Sequence, residues 1–399
     1  MAALVGYSLI LLYILFKLTK RKTIARFIIF LYLVSSVFSI FGVISGYNEV
    51  TVDNIATLYY ITCVLISLYP ILKYGNIDCT GFTYNEKFIK YFSFLLIVLS
   101  FLKIFFALSD FSAIAVSASN LKDVRSNYYQ SGKDFLTPES SIEVIANLIV
   151  YISYLSPYFA IYNLANGKKL IAILLLIASL CVPIDGLCIG EREASLKWLF
   201  NIFAAIILFS PVLSTGLKKK LTIGTTIMLV PIVIYLVAMT IARFNDSILE
   251  SLYVYVGAMP ENFSYLFYNV NPMMKGALNF NFLIPNAPEL NGPLNSFILS
   301  SRYLNVFSGM PGSLWLDFGY YTIIYVILIT YIMTCAMHKF NHRHTFIQFF
   351  LLIVQLQIIF MNIFYYDFAI KYGFYWVIIL SIILLIWTLF NNKEKILAK

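Results

Sequence analysis

A chain of 399 residues that is 61% hydrophobic and only 12% charged, with a mean hydropathy of +0.84, is excluded from the soluble globular class, where about 25% of residues are charged. The composition is that of a polytopic integral membrane protein. The formal charge of +9 does not point to nucleic acid, because the basic residues are scattered through short polar connections, as the positive-inside bias of membrane proteins requires.

Apolar runs near the ~20 residues that cross a bilayer predict about eleven helices, at 2–17, 27–46, 55–72, 91–109, 141–163, 170–186, 194–214, 221–242, 312–336, 346–365 and 373–390. The expected fold is all-α, with one transmembrane domain over 1–399 and a large connection at 243–311. The first run follows Met1 with no charged leader and no small-residue cleavage site, so it reads as a retained span rather than a removed signal peptide. If that run does not span, ten helices remain and the sides of the loops are unchanged.

Alternate connections differ in charge. Those at 17–26, 73–90, 164–169, 214–220, 335–345 and 391–399 hold 18 Lys and Arg; the other set holds 8, although its loops are longer. The first set is expected in the cytoplasm. The N-terminus then points out, the C-terminus points in, and Arg243–Pro311 faces outward. No internal repeat is visible. The 35 Phe and 30 Tyr suit interfacial belts and lipid-facing surface.

Three outward connections carry the polar chemistry. The first, Asp110–Ser140, contains Lys122, Arg125 and Lys133; the second, DGLCIGERE at 185–193, contains Glu191 and Arg192. The longest, Arg243–Pro311, contains Arg243, Asp246, Glu250, Glu261 and Arg302, with many aromatics, Pro and Gly. Arginine is planar, always charged and grips phosphate oxygens in a bidentate fork. Arg125, Arg192, Arg243 and Arg302 therefore suit a polyphosphate group at the membrane surface; the alternative is that each is a helix-end anchor reaching to headgroups.

Lys103 lies in the outer half of an apolar span and Lys197 near the outer end of another, where a charge faces protein or a watery cavity, and Lys103 is expected to add positive potential to the same site. Arg243, Asp246 and Glu250 are spaced to share one helix face if the helix continues past Ala242. They form either a base held by arginine or a local ion pair at a helix end. Asp317, in SLWLDFGYY, sits just inside the helix that follows the long loop. Its DFG triplet lacks the Gly-rich loop and HRD that a kinase needs.

The three histidines, His338, His342 and His344, fall in one cytoplasmic connection and read as solvated loop residues, with a metal site as the alternative. A histidine base or HExxH zinc site on the outer side is excluded by inspection. Cys63, Cys79, Cys181, Cys188 and Cys335 are widely spaced and outline neither a zinc site nor a disulfide framework. No carboxylate pair has convincing Mg²⁺ spacing, so no metal or other cofactor is expected.

Three stretches carry a family resemblance: GEREASLKWLF (190–200), ARFNDSILESLYVYVGAMPENF (242–263) and NVFSGMPGSLWLDFGYY (305–321). With the hydropathy of the whole chain they resemble the O-antigen polymerase family, the repeat-unit polymerases of bacterial surface polysaccharide assembly. The resemblance implies a multi-span, type C-like membrane glycosyltransferase in the bacterial cytoplasmic (inner) membrane. It implies a growing glycan on undecaprenyl pyrophosphate as donor, a lipid-linked repeat unit as acceptor, and a chain-length regulator as partner. Related enzymes use an outward histidine; this chain has none there, so its base must be a carboxylate, Asp317, Asp246 or Glu191. Arg192, Arg243 and Arg302, with Arg125 and Lys103, would hold pyrophosphate. The rival expectations are a lipid-linked oligosaccharide flippase or other transporter, an O-antigen ligase, and a membrane acyltransferase.

Overall fold

The computed structural model describes residues 1–18, 23–48, 50–74, 86–117, 141–147, 149, 152–188, 193–244, 249–250, 253–269, 308–340, 346–363, 382–384 and 386–387. Every regular element among the described residues is helical. A backbone in hydrocarbon must satisfy its own N–H and C=O groups, and a helix does so within one segment. Five helical stretches are long and apolar enough to cross a membrane: Ile24–Ile44, Asn54–Tyr74, Glu86–Ser109, Lys169–Cys188 and Gly309–His338. Ala2–Lys17, Ala194–Phe209 and Phe349–Phe360 are apolar but shorter. Five of the roughly eleven expected spans thus have such a helix among the described residues; most of 373–390 lies outside them.

The chain divides into two compact units. The first comprises Met1–Ile77 and Ser247–Leu380. It contains α1 (Ala2–Lys17), α2 (Thr23–Ile44) and α3 (Asn54–Tyr74). The second comprises Asp78–Asp246 and Ser381–Lys399. It contains α4 (Glu86–Ser117), α5 (Ser141–Asn147), α6 (Ser156–Ala165), α7 (Lys169–Ala178), α8 (Cys181–Cys188), α9 (Glu193–Phe209) and α10 (Thr215–Phe244). The first unit resumes with a π-helical turn at Tyr253–Gly257, then α11 (Met259–Asn269), α12 (Gly309–Phe318), α13 (Thr322–Phe340) and α14 (Phe346–Asn362).

Several expected spans are interrupted, and the residues at the breaks explain why. Pro183 has no N–H to give the Ser179 carbonyl four residues earlier, so the 170–186 run breaks into α7 and α8 at Ser179–Leu180. The buried Ser179 hydroxyl accepts the Trp198 Nε1–H at 2.9 Å. Gly319, at φ +52°, ends α12 in a left-handed conformation that only glycine adopts readily. Pro157, Pro260 and Pro311 stand in the first turns of α6, α11 and α12, where a missing N–H costs nothing.

In the first unit α3 is the hub, touching α1, α11, α12, α13 and α14. Lipid tails are as apolar as leucine, so close packing and hydrogen bonds hold such helices together, at roughly 0.6 kcal/mol per bond. The buried Asn362 Nδ2 donates to Ser67 Oγ at 3.2 Å, and its Oδ1 takes the Met310 N–H at the start of α12 at 2.9 Å. Gln355 Nε2 donates to the Ser67 carbonyl at 3.0 Å, and the Tyr32 hydroxyl to the Ile359 carbonyl at 2.9 Å. Ser8 and Ser36 join α1 to α2 at 2.9 Å.

In the second unit α4 packs on α5, α6, α7 and α8, and α9 packs on α6, α8 and α10. The Tyr158 hydroxyl donates to Asn201 Oδ1 at 3.0 Å, tying α6 to α9 in the interior.

Candidate functional site

The end of the first unit that the charge asymmetry assigns to the outside is built from the 47–54 connection, α11 and the start of α12. Glu261, in the first turn of α11, is only 4% exposed. Its Oε2 accepts the Tyr253 hydroxyl at 2.5 Å, and its Oε1 accepts the Val50 N–H at 2.8 Å. Burial raises the Glu261 pKa, and the two donors only partly offset it.

The π-turn that presents Tyr253 is seated on α2. Ser35 and Ser39, one helical turn apart, donate to the Val256 and Gly257 carbonyls at 2.6 Å each. Gly42, on the next turn, leaves room for the Tyr253 ring, which occupies the space a side chain there would take. A Cβ at Gly257 would lie 2.7 Å from the Phe38 carbonyl carbon. Small residues on both surfaces therefore allow the close approach.

Asp53 caps α3. Its Oδ2 accepts the Ile55 N–H at 2.7 Å and the Ala56 N–H at 3.0 Å, and also the Tyr268 hydroxyl of α11 at 2.8 Å. The Ala56 N–H above all, then the Tyr268 hydroxyl, holds the Asp53 carboxyl below the ordinary aspartate range. Between Asp53 and α12 lies a stack of rings. Phe267 stacks on Trp315 at 4.7 Å, Tyr59 stacks on Phe263 at 5.9 Å, and Tyr320 meets Trp315 edge-on at 5.0 Å. The Tyr59 hydroxyl donates to the Tyr320 carbonyl at 3.1 Å and accepts the Ile323 N–H at 2.9 Å.

Asp317 is carried by α12 two residues beyond Trp315 and is 3% exposed. It lies within electrostatic reach of the Tyr325 phenol on α13, whose ring stacks on Phe318 at 5.0 Å. Among the described residues this end thus includes the carboxylates of Asp53, Glu261 and Asp317. Asp53 is ionised and accessible, Glu261 has both oxygens engaged, and Asp317 is buried in the last turn of α12.

Lys103 belongs to the second unit. Its Nζ pairs with Asp185 Oδ1 at 2.9 Å, the side chains being 6% and 17% exposed. It also donates to Asn147 Oδ1 at 2.9 Å. The cation is thus neutralised where it stands. Sequence reading singled out the lysine but not its partner; the signal was there, since Asp185 is a lone acid at the end of an apolar run. Lys197 is buried on α9.

Asp246, Glu191, Arg125, Arg192 and Arg302 lie outside the described residues. Arg243 falls in the last turn of α10, and its side chain is outside them too. Helix α10 ends at Phe244, so the proposed common face of Arg243, Asp246 and Glu250 also falls outside. His342 and His344 do likewise, whereas the His338 ring sits 6.0 Å from Tyr74. Among the described residues no three His, Cys, Asp or Glu side chains group to hold a metal ion. Comparison with family models, with curated proteins and with solved structures finds no match for this chain.

Proposed function

We propose that the protein is a membrane glycosyltransferase that polymerises lipid-linked oligosaccharide repeat units. It moves the growing glycan from undecaprenyl pyrophosphate to the sugar of a new undecaprenyl-pyrophosphate-linked unit on the outer side of the cytoplasmic membrane. The observation that carries the reading is four arginines that the charge asymmetry assigns to one side, together with a buried carboxylate, Asp317, in the last turn of α12.

In the reaction the acceptor hydroxyl attacks the anomeric carbon of the donor sugar. The bond from that carbon to the pyrophosphate oxygen breaks, and the lipid pyrophosphate leaves with the electron pair. Arg192, Arg243 and Arg302, with Arg125, stabilise the charge that develops on it. A carboxylate accepts the hydroxyl proton, with Asp317 as first choice and Asp246 and Glu191 as alternatives. Glu261 is a poorer base because donors already occupy both of its oxygens. Lys103 contributes little net potential because Asp185 balances it. A chain-length regulator is the expected protein partner.

A flippase or transporter is the second reading. The observation that favours it is the Lys103–Asp185 pair within apolar segments, since intramembrane charges often mark transport paths. A deletion strain separates the two. Loss of long glycan with single-unit product retained supports the polymerase. Loss of all surface glycan supports the flippase, and an unchanged ladder overturns both.

A further inference from the structure

The rings at the outer end of the first unit are not all buried. Tyr268 is 57% exposed, Tyr320 67% and Tyr321 72%. Beneath Tyr320 lie Phe267 and Trp315, each edge-on to it, at 5.5 Å and 5.0 Å. The Tyr268 ring meets Phe267 edge-on at 5.1 Å, and the Tyr268 and Tyr320 phenols are within electrostatic reach of each other. The exposed rings thus stand on a rigid aromatic base, so little side-chain entropy remains to be lost when a ligand covers them.

The polar group beside them sets the chemistry of that ligand. Asp53 accepts the Tyr268 hydroxyl at 2.8 Å. An ionised carboxylate is expensive in hydrocarbon, so this face meets water or the headgroup layer. The same negative charge repels phosphate and anionic headgroups. What remains is a ligand with an apolar C–H face for the rings and hydroxyl donors for the carboxylate.

We propose that Tyr268, Tyr320 and Asp53 form a docking surface for a neutral, hydroxyl-rich sugar ring. The inference rests on the glycan-polymerising reading and names where one lipid-linked glycan seats its saccharide, apart from the arginines that hold pyrophosphate. Sugar C–H bonds lie on the phenol rings, and sugar hydroxyls donate to Asp53.

The test uses the full chain in lipid nanodiscs and saturation-transfer NMR. The probes are neutral oligosaccharides of glucose, galactose, mannose and N-acetylglucosamine. At least one gives transfer to its ring C–H protons. That signal falls about tenfold, the effect of removing one stacked ring, in Tyr320→Ala and in Tyr268→Ala, and persists in Tyr320→Phe. No transfer above empty nanodiscs, or equal transfer in both alanine variants, overturns the proposal. A second measurement guards against misfolded variants. Tyr320→Trp fluorescence is quenched by aqueous acrylamide and not by brominated lipid; strong quenching by brominated lipid makes the patch a membrane belt and overturns the proposal. Saccharide binding lost in the alanine variants, in a protein that does not lengthen glycan, keeps the surface and removes the polymerase reading. Lengthening that is indifferent to both tyrosines does the reverse.

Discussion

The Tyr253 phenol donates to the buried Glu261 carboxylate at 2.5 Å, joining the π-turn to α11. The other carboxylate oxygen takes the Val50 N–H at 2.8 Å, so one side chain fastens the π-turn and α11 to the α2–α3 connection. Glu261→Ala leaves a buried hydroxyl and a backbone N–H without their acceptor. Each such loss costs about 1–3 kcal/mol, so destabilisation of about 3 kcal/mol is expected for the detergent-solubilised protein. Glu261→Gln keeps one acceptor for Val50, and the tyrosine hydroxyl can turn to accept from its amide, so it costs far less. Thermal unfolding of the two variants checks the order.

The same residue sets a pH dependence. Burial holds the Glu261 proton more tightly in the folded than in the unfolded chain. Its contribution to stability is therefore fully present below the ordinary glutamate value and is lost as pH rises through the raised folded value. Melting temperature should fall over that window in the wild type, and the fall should shrink in Glu261→Gln. Equal slopes in the two proteins would contradict the assignment.

Gly257 lies against the α2 backbone, with no flexible side chain to yield. Gly257→Ala places its Cβ 2.7 Å from the Phe38 carbonyl carbon and 2.8 Å from the Ser39 nitrogen. The turn must lift, stretching the Ser35 and Ser39 hydrogen bonds. Overpacking of this kind costs about 1–3 kcal/mol, read as a lower melting temperature and faster proteolysis of the 243–311 segment.

These relationships show how much the sequence makes legible. Helices α2, α3 and α4 follow from apolar runs, because hydrocarbon leaves the backbone no other economy of hydrogen bonds. The breaks at Ser179–Leu180 and Gly319 were missed because hydropathy does not register a proline or a left-handed glycine inside an apolar stretch. The seat of Tyr253 on Gly42 joins residues far apart in the chain, and only the small-residue face Ser35, Ser39, Gly42 hints at it. Lys103 was visible as a costly charge, but its pairing with Asp185 depends on how α4 and α8 pack.

Lys103 and Asp185 allow a double-mutant test. Lys103→Met alone leaves a largely buried carboxylate without its cation, at a cost of about 3 kcal/mol. Lys103→Met with Asp185→Leu removes both charges and should recover most of that loss. If the pair is structural, the double variant also keeps the glycan ladder. A folded double variant that makes no polymer would instead return Lys103 to the substrate.

The central claim is tested most directly with purified protein in liposomes, supplied with lipid-linked repeat units extracted from the deletion strain. The account predicts products that lengthen by whole repeat units as undecaprenyl pyrophosphate is released. Arg243→Ala should be slower by about 10²-fold, as when one group aimed at developing charge is removed. Intact substrate after prolonged incubation with folded wild-type protein, or wild-type rates in alanine variants of all four arginines, would contradict it.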